Sequence, residues 1–313
     1  MPSPNPGSPA VSLAQRLRKA AVPLLGLTIV ALALWGLYGM LRETSPRDIV
    51  AALRALPPAQ AAMALACTAL SFLVLTLYDR LSLRWLGLDW AWRRSAPGTA
   101  LAYALGNVSF NALVVAGAVR YSAWRAWGMQ PGQAAGVALF ASLGFWLGYV
   151  CVGGLLFATD PLRPSLRLAG LLLLAPLLYL LLAWRLRGVR LGRWRMPLPP
   201  PGVCAGQLAV GMLDLLGISG VLWLLLPALP GFAYSHFLQA FMLAVVAGSA
   251  SQAPGGLGVF DSAFLLLLPA GAAVPQAVAA LLAFRVIYYG MPLLAAGAGL
   301  ALRQLRRGSQ RRE

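Results

Sequence analysis

Residues 133–158 read QAAGVALFASLGFWLGYVCVGGLLFA, an unbroken run without a charged residue. A helix rises about 1.5 Å per residue, so this run is long enough to cross the roughly 30 Å hydrocarbon core of a bilayer. Similar apolar runs recur along the chain. Together they predict a polytopic, all-α integral membrane protein, a bundle of about six to eight transmembrane helices.

The composition of the 313-residue chain excludes the other broad classes. Hydrophobic residues make up 60% and charged residues 11%, against about 45–50% and about 25% in soluble domains. Too few charges are present to cover a soluble surface or to keep a chain disordered. The net charge of +17 comes from 24 Arg and one Lys against 8 acids. These basic residues flank apolar runs, which is typical of loops facing anionic lipid rather than nucleic acid, so no nucleic-acid partner is expected.

Six apolar segments are predicted to cross the membrane and two to enter it and return. The predicted crossings are 21–40, 59–78, 133–158, 168–184, 203–226 and 275–302. The predicted re-entrant or broken hairpins are 96–119 and 232–269, and 49–56 is a short amphipathic helix. Eight crossings with one hairpin are the alternative.

Loop charge orients this arrangement. Basic residues are concentrated before residue 20, between 185 and 195, and after residue 302. The positive-inside rule places all three in the cytoplasm of a bacterial inner-membrane protein. We expect a disordered cytoplasmic segment (1–20), one transmembrane domain (21–302) with halves divided near 185–202, and a basic cytoplasmic tail (303–313).

The first candidate site follows the first hairpin. Arg120, Tyr121 and Arg125 lie in the stretch GAVRYSAWRAW, residues 117–127. Arginine can grip a phosphate through two parallel hydrogen bonds, and aromatic residues favour the interface. Phosphate binding at headgroup depth and simple anchoring at the membrane boundary are both open from the sequence.

The second candidate site is the glycine-rich break in the second hairpin. Residues 254–261 read PGGLGVFD, and the candidates are Pro254, Gly255, Gly256, Gly258 and Asp261. Glycine permits backbone conformations that other residues resist, and broken helices expose backbone amides that can receive an anion. A helix break without a ligand would give the same pattern.

Charges inside apolar runs form the third candidate site. Arg285 precedes Tyr288 and Tyr289 in the last predicted span, and Asp214 lies in the middle of 203–226. A charge at the centre of a membrane helix costs about 2.5–3.5 kcal/mol, so such residues usually face a partner or a cavity. Asp214 or Asp261 could neutralise Arg285, either as a structural ion pair or along a polar route for a lipid headgroup.

The sequence has few residues that could bind a metal ion or act as a catalytic nucleophile. It has a single histidine, His236, and three cysteines without a CxxC spacing. Nucleophile-elbow, zinc-protease and phosphate-loop patterns are missing from the sequence. We therefore expect no metal, no cofactor and no enzymatic activity.

Four stretches resemble the membrane domain of lysylphosphatidylglycerol synthetases, the multiple peptide resistance factors, and the wider flippase-like family. They are YALGNVSFNALVVAGAVRYSAWRAWGM, FASLGFWLGY, APGGLGVFDSAFLLLLP and LLAFRVIYYGMPLL, at 103–129, 140–149, 253–269 and 281–294. The family pattern usually has Glu where this chain has Asp261. The chain also stops at Glu313 without the soluble aminoacyl-transferring domain.

The resemblance implies a lipid translocase without synthetase activity. An anionic or aminoacylated phospholipid, or another polar lipid, would pass through a polar cavity where the two hairpins meet. Arg120 and Arg125 would receive the headgroup, and Asp261, Arg285 and the paired tyrosines would line the deeper part. A membrane enzyme acting on a headgroup and a non-transporting partner of a separate lipid synthetase are the alternatives. Homo-oligomerisation is compatible with each.

Overall fold

The computed structural model describes residues 46–109, 111–159, 166–186, 188–191, 194–229, 231–269 and 271–299. The predicted first crossing, 21–40, and the two terminal segments, 1–20 and 303–313, lie outside these residues.

Helices make up nearly all of the described structure. They are α1 (Pro46–Arg54), α2 (Pro58–Trp85), α3 (Trp92–Asn107), α4 (Ala112–Trp124), α5 (Pro131–Thr159), α6 (Leu166–Arg185), α7 (Pro201–Leu225), α8 (Tyr234–Ser251), α9 (Val259–Leu266) and α10 (Val274–Phe284). Two strands, β1 (Gly188–Leu191) and β2 (Trp194–Pro197), lie between α6 and α7. The predicted all-α membrane bundle is confirmed.

Five helices of the described residues are long and apolar enough to cross a membrane. They are α2, α5, α6, α7 and the last helix, which runs over Val274–Gly299 and contains α10. They correspond to five of the six predicted crossings. The largest difference in bounds is in α2, which continues past Tyr78 to Trp85. The predicted amphipathic helix at 49–56 is present as α1, which packs against α10.

Helices α3 and α4 form the first hairpin. Gly98 near the start of α3 lies against Ala123 and Trp124 at the end of α4, and Gly106 lies against Ala112. The two helices therefore run antiparallel. With 16 and 13 residues, each is about 20–24 Å long, which is shorter than the hydrocarbon core. Asn111 begins α4, because its side chain accepts a hydrogen bond from the amide of Val114 at 3.1 Å.

Helices α8 and α9 form the second hairpin. The rings of Phe237 and Phe264 are 5.7 Å apart, and those of Phe241 and Phe260 are 5.4 Å apart. These pairs show that α9 folds back along α8. Because α9 has only 8 residues, it cannot cross the membrane by itself. The structure thus has two helical hairpins where they were predicted, and the shortness of α9 favours re-entry over the alternative with eight crossings.

The strands form a small antiparallel hairpin within the arginine-rich connection. Their register pairs Gly188 with Pro197 and Leu191 with Trp194. This hairpin was not predicted, because the arginine-rich residues 185–195 were expected to form a loop. Its strands form the one sheet among the described segments.

Three glycines allow α5 and α7 to cross at backbone contact. A Cβ atom on Gly148 would lie 2.6 Å from the Cα of Gly211, and one on Gly211 would overlap the carbonyl of Gly144. Gly144 and Gly148 have the small-xxx-small spacing that lets membrane helices approach closely. This crossing fixes the position of α7, which carries Asp214.

We predict that Gly211→Ala destabilises the protein, because its methyl group must displace backbone atoms of α5. Overpacking of this kind costs about 1–3 kcal/mol. The thermal midpoint in detergent, followed by size-exclusion chromatography after heating, measures the effect. Gly202→Ala on the same helix is the control, because its Cβ would meet open space. Equal midpoints for the two variants would contradict the proposed close crossing.

Candidate functional site

A cavity of about 500 Å³ lies between the tips of the two hairpins. The tips touch: a Cβ on Gly255 would be 3.1 Å from the carbonyl oxygen of Asn107. Amide and hydroxyl side chains line the cavity from both tips: Asn107, Ser109, Asn111, Ser249 and Gln252. Its walls are completed by α2, α5, α7 and the last helix. The cavity therefore brings polar side chains of both tips together between walls that are mostly apolar.

Arg120 forms the first ion pair of the site, with Asp79. The guanidinium donates from Nε to Oδ2 and from Nη2 to Oδ1, both at 2.8 Å. Thr99 donates a further hydrogen bond to Asp79 Oδ2 at 2.8 Å. Both charged side chains are 1% exposed. This bidentate pair joins α2 to the first hairpin and neutralises both charges inside the bundle.

Tyr103 completes the surroundings of Arg120. The guanidinium carbon of Arg120 lies 4.8 Å from the centre of the Tyr103 ring. The hydroxyl of Tyr103 is buried and has no hydrogen-bond partner among the described residues. Since Tyr103 also lines the cavity, this hydroxyl is a polar group that a ligand can satisfy.

Arg285 forms the second ion pair, with Asp261. Its Nη2 atom lies 3.1 Å from Asp261 Oδ1 and 3.0 Å from Oδ2. Its Nη1 atom donates to the carbonyl of Gly255. Asp261 in turn accepts a hydrogen bond from the amide of Gly258 at 3.0 Å, at the start of α9. Arg285 thus ties the tip of the second hairpin to the last helix.

The glycines of this tip are required by their backbone conformation. Gly255, Gly256 and Gly258 have φ values of 58°, 65° and 77°. Residues that carry a side chain rarely adopt positive φ angles. The three glycines therefore stand at the positions where the turn requires them. Gly256 and Gly248 also lie in close contact.

The last helix changes to π-helical geometry over Arg285–Gly290. Single π turns in longer helices frequently occur at functional sites. Here the turn carries the arginine and both tyrosines. The hydroxyls of Tyr288 and Ser71 lie 3.3 Å apart, and the rings of Tyr288 and Tyr289 lie 5.4 Å apart.

Asp214 is the third carboxylate of the site, and its environment differs from that of the other two. It lines the cavity and is 6% exposed. The hydroxyl of Tyr78 donates to its Oδ2 over a long distance, 3.5 Å. No basic side chain of the described segments forms an ion pair with it. The expected choice between Asp214 and Asp261 as partner of Arg285 is therefore resolved in favour of Asp261.

The structure divides the predicted site residues into three groups. Six of them line the cavity: Arg120, Asp214, Gly255, Gly256, Tyr288 and Tyr289. The second tip is held in place by Gly258, Asp261 and Arg285, which lie outside the cavity lining. Pro254 begins the short 3₁₀ turn of this tip. Tyr121 and Arg125 are exposed and lie outside the cavity lining. The expected joint use of Arg120 and Arg125 is thus not supported by their positions.

Asp79 is the important residue that the sequence analysis missed. The predicted span ended at Tyr78, so Asp79 was left out of the membrane region. A buried stripe on α2 could have indicated its role: Ser71, Leu75, Tyr78, Asp79 and Ser82. These residues recur at helical spacing and lie on one face.

We predict that Asp79→Asn lowers stability strongly, because it leaves the buried Arg120 without a counter-charge. Removing one partner of a buried ion pair costs about 3–5 kcal/mol. The thermal midpoint of the purified variant measures the loss. Asp89→Asn is the control, because Asp89 is exposed.

A double variant separates charge imbalance from lost packing. Asp79→Asn combined with Arg120→Gln removes both charges, and we expect it to be more stable than Asp79→Asn alone. If the double variant loses as much stability as Asp79→Asn and Arg120→Gln lose together when measured singly, the two residues act independently. The described ion pair is then wrong.

Comparison with known proteins gives two relatives, and no family model matches the sequence. The uncharacterized protein slr0712 of Synechocystis sp. is 30% identical over 302 residues, which cover 93% of this chain and 94% of that protein. The inner membrane protein YbhN of Escherichia coli is 26% identical over 242 residues, 72% of this chain and 74% of YbhN.

Proposed function

This chain belongs to the family of the Synechocystis protein slr0712, and we propose that it is a lipid translocase of the bacterial inner membrane. The headgroup of a polar lipid passes through the cavity between the two hairpin tips while its acyl chains stay in the bilayer. The resemblance to the membrane domain of lysylphosphatidylglycerol synthetases supports the same function. The name of YbhN supports the location, and the positive-inside rule applied to the basic segments predicts that both termini are cytoplasmic.

The polar cavity inside an apolar bundle is the observation that carries this proposal. Burying polar groups away from water is unfavourable unless they bind a partner. A fold that needed only stability would fill this space with apolar side chains. Here the two hairpin tips instead bring amide and hydroxyl side chains together at the cavity, which Arg120 and Asp214 also line. Non-helical backbone at membrane depth is tolerated where it lines such a cavity.

The balance of charge in the cavity favours one class of headgroup. Arg120 is neutralised by Asp79, and Arg285 by Asp261. Asp214 is left as the unpaired charge among the described lining residues, so the site attracts a positive group more than a bare anion. The rings of Tyr78, Tyr103 and Tyr288 also line the cavity, and aromatic faces attract ammonium groups. We therefore favour an amine-bearing phospholipid, such as an aminoacylated one, over a purely anionic lipid.

The same arrangement favours transport over catalysis. General acid–base chemistry needs groups that can gain and lose protons beside the reacting bond. Asp79 and Asp261 are each held by an arginine, which leaves Asp214 as the one carboxylate outside an ion pair among the described residues that line the cavity. A separate synthetase would supply an aminoacylated lipid.

The proposal is tested with purified protein in liposomes that carry a fluorescent lipid. Dithionite destroys fluorescence in the outer leaflet, so loss of the protected signal measures translocation. We expect lysylphosphatidylglycerol to move faster than in empty liposomes and faster than phosphatidylglycerol. If neither lipid moves faster than in empty liposomes, the proposal is wrong. Faster movement of phosphatidylglycerol would overturn the assignment of the headgroup.

We predict that Arg285→Ala reduces lipid movement at least about tenfold, which corresponds to losing about 1.4 kcal/mol of stabilisation. Without Arg285, Gly255 and Asp261 lose the contact that positions the second tip. The protein should still be recovered from the membrane, since the helix crossings are unchanged. Arg167→Ala is the control, because Arg167 is exposed at the start of α6. Normal movement by Arg285→Ala would exclude the tip from the pathway.

A further inference from the structure

Asp214 is buried at the middle of a membrane helix without a cationic partner among the described residues. The cost of a lone charge in hydrocarbon is high, so such a carboxylate must receive either a cation or a proton. The contact from Tyr78 is too long to replace an ion pair. In this conformation, therefore, no positively charged side chain of the described residues neutralises Asp214.

The titratable groups that face Asp214 are tyrosines. Tyr78 of α2, Tyr103 of α3 and Tyr288 of the π turn all interact electrostatically with its carboxylate. The cavity-lining residues of α5 and α8 beside it carry no titratable side chain: Ser142, Phe145, Phe241 and Val245.

Three other titratable side chains on the helices around α7 are bonded elsewhere. Tyr149 donates to the carbonyl of Met242, Tyr179 to Gln207, and Cys67 to the carbonyl of Gly217. The two cavity arginines are held by Asp79 and Asp261. Asp214 is thus free to exchange its neutralising partner without breaking another ion pair.

We propose that Asp214 binds the ammonium group of the lipid and a proton in turn, so that the protein exchanges lipid for protons. This inference rests on the proposed function and adds its energy source. When the headgroup binds, its ammonium pairs with the carboxylate and the proton leaves to the side from which the lipid came. When the headgroup is released on the receiving side, a proton from that side returns to Asp214 and neutralises the empty cavity for the opposite movement.

The exchange makes a quantitative prediction for liposomes with a pH gradient. With one proton moved per lipid and the membrane potential held at zero, one pH unit corresponds to about 1.4 kcal/mol, or about a tenfold ratio. Fluorescent lysylphosphatidylglycerol should therefore accumulate about tenfold in the leaflet facing the acidic side. The fraction protected from dithionite at equilibrium measures this ratio, with acid placed inside in one set and outside in the other.

Substitutions at Asp214 separate the coupling to protons from the movement of lipid. Asp214→Asn has nearly the same shape and cannot carry the proton, so we expect no accumulation in either gradient. Asp214→Glu keeps a carboxylate and should still accumulate lipid on the acidic side. Leu213→Ala is the control, because Leu213 is 50% exposed on the lipid-facing side of the same helix.

The outcomes distinguish this inference from the function on which it rests. Lipid movement that ends with equal leaflets in both gradients overturns the exchange and leaves the translocase intact. Accumulation by Asp214→Asn equal to that of the unaltered protein overturns the role of Asp214. No movement in any liposome overturns both proposals.

Discussion

Arg285 makes the contact on which the cavity depends. It binds Asp261 and the carbonyl of Gly255 with one guanidinium group. Asp261 also caps the start of α9 through the amide of Gly258. The turn itself is made of glycines at positive φ, a conformation with little stability of its own. A single side chain on the last helix thus holds an irregular tip that lines the cavity.

The Asp79–Arg120 pair has the same role for the first hairpin. It joins α2 to α4, while Thr99 of α3 binds the same carboxylate. Both hairpins are therefore fixed by an ion pair to a helix long enough to cross the membrane. Because each pair is internally neutral, the tips can be buried without leaving net charge. Asp214 belongs to neither pair, so its charge is left for a proton or a bound cation to balance.

Much of this organisation could be predicted from the sequence. The length of the apolar runs predicted the crossings. Glycine and asparagine within these runs predicted the hairpins, because such residues are unsuited to a lipid-facing helix. The pairing of Asp261 with Arg285 was one of two open choices. Asp79 was missed because hydropathy places the end of a span at the first charge, although α2 continues to Trp85. Its partner is 41 residues away on another helix, a contact that no local pattern indicates. The exposure of Tyr121 likewise depends on how α4 is rotated, and Arg125 lies in the short 3₁₀ turn that follows α4.

Whether lipid passes between the hairpin tips is tested most directly by blocking the cavity. Cys67, Cys151 and Cys204 are first replaced by alanine, and a single cysteine is then introduced by Ser249→Cys at the second tip. A matched protein carries Leu243→Cys on the lipid-facing side of the same helix. Each is treated with a bulky maleimide and assayed for movement of lysylphosphatidylglycerol. The account predicts that labelling stops movement in the Ser249→Cys protein and spares the Leu243→Cys protein. Unchanged movement after complete labelling at position 249 would contradict it.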